Sequence, residues 1–587
     1  MTHFVLLKKV KALNLTMKHT LTLLTALLFV HLACLTASAD VRLPHLFGDH
    51  MVLQQESTNT IWGFASPGEK VTIIASWGTE ASAVADKAGD WKLFLKTPAY
   101  GTGHSLTVSG KNTIKISDVA IGEVWLCAGQ SNMGMSMGNS FGAEKEANVN
   151  LPDYRIFKSS REHWHEPLKE SRDRLARWKS CNPESAAETS AVAYYFGKKL
   201  HQELGIPVGI IQQAYAGTPI EGWMPWEIQK DDPRAQAHKK GIDESATRMT
   251  GRLGITKEKA MENYRKELAE YNAKIDAGES MKIGDRTMPP PFITKPGDLG
   301  HQYPAHIFNA MIYPVRPYGI RGMIWYQGER NAKDVPQAAH YREQLALLIN
   351  YYRQSWHELS GGNTDPAFPF YFTQLPSWNP PQTKPVEGLE APWAVSREMM
   401  RLVSRECPNT GMAVAIDTGD AIALHPKNKE PVGIRHAYLA LRLTYHRDFV
   451  AYGPRYSGQT VQDGRIILKF DAESIGGGLM AAKTAPLNAF AIVGEDKVWH
   501  WADAQISGDK VVVSSPKVGK PVAVRYAWAM NPSQRNLLYN KEGLPASPFR
   551  TDDWPLFDPK AEIVTVDKPE QEAEKASADW DRPRMTQ

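Results

Sequence analysis

Cysteine is scarce, with 4 in 587 residues. Cys34 lies in the N-terminal segment, which leaves Cys127, Cys181 and Cys407, and no two of them have metal-ligand spacing. Three cysteines cannot build a disulfide framework, and this spacing offers no cysteine metal site. An excess of one charge is also lacking. The 68 Lys+Arg against 64 Asp+Glu leave a net charge of +4, so nucleic acid is not expected as a partner. After residue 39 no run is apolar enough to span a membrane. No internal repeat recurs at a fixed period, which argues against a solenoid or propeller.

What is present begins with a targeting pattern. Lys8, Lys9, Lys11 and Lys18 precede "LTLLTALLFVHLACLTASA", which ends in Ala37-Ser38-Ala39. A basic start, a short apolar run and a small-x-small end predict a cleaved signal peptide over 1–39, and hence a secreted or periplasmic protein without a membrane anchor. Met17 also begins a complete signal.

From 40 to 119 short β-rich runs ("TIWGFA", "KVTIIASW", "DWKLFLKT") alternate with turn chemistry ("SPGE", "KAGD", "AYGTG"). This predicts an N-terminal β-sandwich. From 120 to 452 apolar strands alternate with amphipathic helices: "EVWLCAG", then "AAETSAVAYYFGKKLHQELG", then "IPVGIIQQAYAG", "GIRGMIWYQGE", "YREQLALLINYYRQSW", "FPFYFTQLP" and "TGMAVAIDTGD". That alternation predicts an α/β fold, a parallel sheet flanked by helices on both faces. An insertion over about 227–300 holds a polar helix, "TKEKAMENYRKELAEYNAKIDAG", and a Pro-rich loop, "MPPPFITKPG". From 453 to 557 strands return, predicting a C-terminal β-rich domain. The charged tail, 558–587, lacks apolar periodicity and is expected to be disordered.

Ligands bind beyond the carboxyl ends of strands in such sheets, and four stretches fall there. In "LCAGQSNMGMSMG" two serines compete. Ser136 matches G-x-S-x-G, but that motif needs a strand immediately before it, and Gln130-Ser131-Asn132-Met133-Gly134 is not one. Ser131 directly follows the strand. "QAYAGTPIEGW" places Gly217 after a strand, where its backbone N–H can closely approach a ligand. "IWYQGERN" places Gln327, Glu329 and Asn331 after another, and amide side chains there can donate to an oxyanion. "ALHPKNK" places His425 in a loop, where an imidazole can serve a serine as base.

"GQSNM", "GTPIEGW", "WYQGERN" and "HPKNK" together resemble the four blocks of the sialate O-acetylesterase family, within the SGNH hydrolase superfamily. The flanking "LFGDHMVLQQ" and "NLLYNKEGLPASPFRTDDW" resemble it too, so the resemblance covers the chain to about Trp554. It implies an SGNH-type sheet and a carbohydrate acetylesterase. Ser131 would be the nucleophile, His425 the general base and then acid. Gly217, Asn331 and the Ser131 N–H would hold the oxyanion. The implied substrate is an O-acetylated carbohydrate, with no metal or cofactor. Gln327 and Trp223 are candidate substrate contacts, Trp223 as a sugar platform; Glu329 is read as a loop brace and Arg435 as the brace of a helix start.

One departure stands out. The family usually has an acid two or three residues before this histidine, and here Ile422 and Ala423 occupy those places. Either Asp420 takes the role, or a backbone carbonyl holds the ring, or the site is weakened. The last option leaves an alternative reading, a carbohydrate-binding protein that keeps the fold without the chemistry.

Overall fold

The computed structural model describes residues 40–253, 257–277, 300–484 and 486–566. The expected signal peptide, the Pro-rich "MPPPFITKPG" and the tail beyond 566 lie outside the described residues.

Two compact units divide the chain. The smaller takes in Ile61–Leu93 and Leu106–Lys115, with the described residues up to Leu43. It is antiparallel: Lys70–Ala75 pairs with Glu80–Val84 on one edge and with Leu106–Ser109 on the other. Val71, Ile73 and Ala75 are buried while Lys70 and Ile74 are exposed, the period-two pattern of a sheet with one covered face. The larger unit takes in Pro44–Thr60, Phe94–Ser105 and the described residues from Ile116 onward. The expected 40–119 segment is thus shared between units, and the described part of the C-terminal β-rich segment falls in the larger unit, in sheets of its own.

The larger unit is mixed α/β. Seven strands form its central path: β1 (Thr113–Gly129), β2 (Leu151–Lys158), β3 (Arg177–Cys181), β4 (Val208–Ala214), β5 (Gly322–Tyr326), β6 (Phe370–Thr373) and β7 (Thr410–Ala413). They lie in the order β7-β6-β5-β1-β4-β2-β3. All neighbours are parallel except β2 and β3. Every residue of β4 and β5 is buried, as expected of strands covered on both faces. Helices α1 (Ala191–Leu204), α2 (Val335–Leu359), α3 (Pro392–Glu406) and α4 (Glu430–Leu443) supply that cover. α1 and α4 pack together over a core that includes Trp125, Cys127, Ile324 and Tyr326. Trp325, which alternates with Ile324 and Tyr326, points the other way, and its Nε1 donates to Tyr341 of α2 at 3.3 Å.

The helical run expected to end at Gly205 is broken near its start. Pro183–Glu188 forms its own short helix, and Ser190 caps α1 by accepting from Ala193 N–H at 3.1 Å. Gly205, at φ 68°, closes α1, since the left-handed cap suits a residue without Cβ. At the C-terminal end, Tyr456–Gln462, Arg465–Phe470, Lys510–Ser514 and Asp503–Ser507 form one antiparallel sheet. Trp499–Trp501, Phe490–Gly494, Pro521–Tyr526 and Phe549–Arg550 form another. Ile466, Leu468, Val511 and Val513 of the first share an apolar core with Phe490, Ile492, Val524 and Tyr526 of the second.

The topology points to one place. After β1 the chain builds β2, β3 and β4 on one side, then crosses to build β5, β6 and β7 on the other. The carboxyl end of β1, between β4 and β5, is therefore the switch point of the sheet, where open α/β sheets form their binding crevice.

Candidate active site

β1 ends at Gly129, whose φ is 148°. A Cβ there would lie 2.1 Å from the carbonyl oxygen of Tyr326 on β5, so only glycine lets the chain turn this close to its neighbour. Gln130 N–H then donates to that same oxygen at 3.0 Å, and Ser131 opens a one-turn helix, Ser131–Gly134. From the far side of the sheet the loop after β7 delivers His425, whose Nε2 lies 2.8 Å from Ser131 Oγ across 294 residues of sequence. Ser136 is elsewhere. It bridges Ser190 through its backbone, and its hydroxyl accepts from Asn139 Nδ2 at 2.9 Å.

Gly217 follows β4 at φ 72°. A Cβ on it would come 3.5 Å from His301 Nε2. The His301 ring stacks on Tyr215, with centroids 5.3 Å apart and planes at 15°, and Tyr215 OH lies 3.3 Å from His163 Nδ1. Asn331 is buried after β5. Its Oδ1 accepts from Ile220 N–H and from Gln327 Nε2, each at 2.9 Å, and its Nδ2 donates to Glu221 Oε2 at 2.9 Å. That fixes the amide plane while using one of the two N–H donors on Nδ2.

Three expected roles need correction. Trp223 has no exposed surface; its Nε1 donates to Thr218 Oγ1 at 2.8 Å and its ring meets Trp325 edge-on at 5.3 Å. A ring packed on every side offers no face to a sugar. Gln327 is equally buried. Its Nε2 donates to Thr218 O and Asn331 Oδ1, and its Oε1 accepts from Tyr341 OH at 2.7 Å. It braces Asn331. Asp420 turns its carboxylate into its own loop, where Oδ1 accepts from Ile422 N–H at 2.8 Å and Ala423 N–H at 2.9 Å. This is the local turn that aspartate side chains favour. Among the described residues no hydrogen bond joins Asp420 to the imidazole of His425. Asp417, the other acid upstream, is held by a two-pronged pair with Arg435 at 2.7 Å.

Glu329 is buried, accepting from Asn132 Nδ2 at 2.6 Å. Burial raises its carboxyl above the usual range, against the lowering effect of that bond and of Lys429. Lys429 is also buried, and desolvation lowers its ammonium to about 7 although the Glu329 charge opposes the fall. Asn132 and Lys429 were not singled out from sequence, yet they stand inside "GQSNM" and "HPKNK" beside Ser131 and His425. Their place in those blocks was the available signal. Tyr215 stands inside "QAYAGTPIEGW", but His301 carried no signal, because the long insertion separates it from that stretch. Among the described residues no group of three or more His, Cys, Asp or Glu could hold a metal ion.

A pocket of about 280 Å³ adjoins the Ser131 helix, lined by Gly134 and Ala214 and by the cations Lys158, Arg161, Arg177 and Lys179, against Asp173 and Glu188.

Comparison with known proteins bears on this geometry. Residues 121–251 match the family described as carbohydrate esterase, sialic acid-specific acetylesterase. Sialate O-acetylesterase of Mus musculus is 28% identical over 549 residues, covering 88% of this chain and 95% of the relative. That of Homo sapiens is 25% identical over 551 residues, covering 88% and 93%. The crystal structure of a carbohydrate acetylesterase from Xanthomonas citri superposes with a TM-score of 0.70 at 31% identity, over 88% of this chain and all of that one. The protein is thus a carboxylic-ester hydrolase of the carbohydrate esterase class. Within that class, the chain belongs to the sialate O-acetylesterase family.

Proposed function

We propose that the protein is a secreted serine esterase that removes O-acetyl groups from carbohydrate through a Ser131–His425 pair on an SGNH-type sheet, in a chain that also carries an N-terminal β-sandwich. The observation that carries this is the 2.8 Å contact of His425 Nε2 with Ser131 Oγ at the switch point. Ser131 Oγ attacks the acetyl carbonyl carbon as its proton passes to His425 Nε2. The tetrahedral oxyanion accepts from the Ser131 and Gly217 N–H groups and from the second N–H of Asn331 Nδ2. Collapse breaks the bond to the sugar oxygen, which leaves with the proton from His425. Water then repeats the sequence on the acetyl-enzyme, releasing acetate and restoring Ser131.

Tyr215 and His301, stacked beside Gly217, are the aromatic faces offered to the sugar in place of Trp223. The cations of the adjoining pocket favour a sugar that bears a carboxylate. The basic start, apolar run and Ala37-Ser38-Ala39 end of the first 39 residues support the secreted location. The test is hydrolysis of 4-nitrophenyl acetate and of O-acetylated sialate and O-acetylated xylose by the wild type and Ser131→Ala. Turnover absent from wild type, or retained in Ser131→Ala, refutes the mechanism.

A further inference from the structure

Behind the Ser131–His425 pair lies a buried cation and a buried carboxylate joined through an amide. Lys429 Nζ donates to Asn132 Oδ1, and Asn132 Nδ2 donates to Glu329 Oε1 at 2.6 Å. All three side chains are buried. The amide therefore lies with its oxygen on the ammonium and its nitrogen on the carboxylate, so its dipole is aligned with both charges. Bonds in such a chain polarise one another inside a protein of low dielectric. The same Nδ2 also donates to Leu424 O at 3.2 Å.

The connections span the site. Asn132 is the residue after Ser131, Leu424 the residue before His425, and Glu329 sits between Gln327 and Asn331. Desolvating two charges is costly, and their attraction repays it only with good geometry. Here the repayment is incomplete, because Glu329 Oε2 has no hydrogen-bond partner among the described residues. A costly arrangement joining these three segments has its use in geometry. A displacement of about 1 Å in a reacting pair can cost about 10²-fold in rate.

We propose that Lys429, Asn132 and Glu329 act as one positioning relay that sets the separation of Ser131 Oγ from His425 Nε2. This rests on the esterase reading above. None of the three touches the reacting atoms; they act through the two residues they flank.

The experiment measures kcat and KM separately on 4-nitrophenyl acetate for wild type, Ser131→Ala, Lys429→Met, Asn132→Asp, and Asn132→Asp combined with Glu329→Gln. Wild-type turnover that Ser131→Ala abolishes establishes the esterase reading by itself; its absence removes both readings. Lys429→Met is expected to lower kcat about 10²-fold with KM little changed. Asn132→Asp sets a second carboxylate against Glu329 and is expected to fall at least as far. Adding Glu329→Gln restores the charge count and lets the new amide donate to the carboxylate introduced at position 132, so about tenfold or more of kcat should return. A folded Lys429→Met with wild-type kcat overturns the relay, as does a loss confined to KM. If Lys429→Met does not fold by circular dichroism, the Asn132 pair decides, since both variants keep Lys429. A double variant no faster than Asn132→Asp alone then overturns the proposal.

Discussion

The loops after β5 and after β7 hold the two halves of the site and are built in opposite ways. In the first, Gln327, Glu329 and Asn331 are buried, and the amides are tied to α2 through Tyr341 and to the segment after β4 through Thr218, Ile220 and Glu221. In the second, Asp420 to Leu424 are half-buried or exposed. The Asp420 carboxylate accepts from backbone within that loop, and its N–H donates to Ser377 O. The contrast matches what each half does in the proposed reaction. Donors to an oxyanion work best when fixed before charge develops, whereas a base must meet the serine hydroxyl first and the leaving oxygen afterwards.

The largest test breaks the pair that joins the two loops. Ser131→Ala and His425→Ala should each lower kcat/KM on 4-nitrophenyl acetate by about 10⁴-fold or more, and the double variant should fall little further, because the two act as a unit. Ser136→Ala should keep most activity. A double variant much worse than either single one would show that the residues act separately.

Next comes the rigid half. Asn331→Ala should lower kcat by about 10²–10³-fold with a smaller change in KM, the usual cost of one oxyanion donor. Because Asn331 Oδ1 also holds Ile220 N–H and Gln327, the melting temperature should drop as well. A loss mainly in KM would instead make Asn331 a sugar contact.

A third test concerns the helix on which the looser loop ends. His436 of α4 has no exposed surface, its Nε2 lies 2.8 Å from Thr373 Oγ1, and burial holds its imidazole down at about 3. The folded value lies below the unfolded one of about 6.5. Between those values the unfolded chain binds a proton that the folded chain refuses, so stability falls as pH drops through that window. His436→Gln cannot titrate and should flatten this acid limb, read as urea midpoints between about pH 7 and pH 4. An acid limb of unchanged slope would assign the loss to other groups.

The same contrast governs what could be read from sequence. The strand-then-loop pattern around Ser131, Gly217, Asn331 and His425 was legible because each block follows an apolar run, and a parallel sheet gathers the carboxyl ends of its strands. Burial is a tertiary property and was not legible: Trp223 and Gln327 read as substrate contacts until α2 and Trp325 closed over them. Nor does a sequence show that residues 297 apart, Asn132 and Lys429, share a hydrogen bond. The break before α1 was missed because Thr189 and Ser190 continue the polar spacing, while the Ser190 side chain serves the backbone as a cap.

The smallest expected effect is the sharpest on the looser loop. A buried carboxylate beside a catalytic histidine fixes its tautomer, and neutralising such a group in a serine protease costs about 10⁴-fold. Here Ile422 and Ala423 hold the places where the family resemblance implies an acid, and the Asp420 carboxylate accepts from their N–H groups. An amide at position 420 retains a side-chain oxygen able to accept both bonds, so the turn should survive the change and only the charge should go. Asp420→Asn should therefore cost no more than about tenfold in kcat, against the roughly 10⁴-fold of a true third member. A fall of about 10³-fold or more, with circular dichroism unchanged, would mean that Asp420 leaves its turn to meet His425 during the reaction. The β7 loop would then be a moving part, and the two halves would differ in motion as well as in burial.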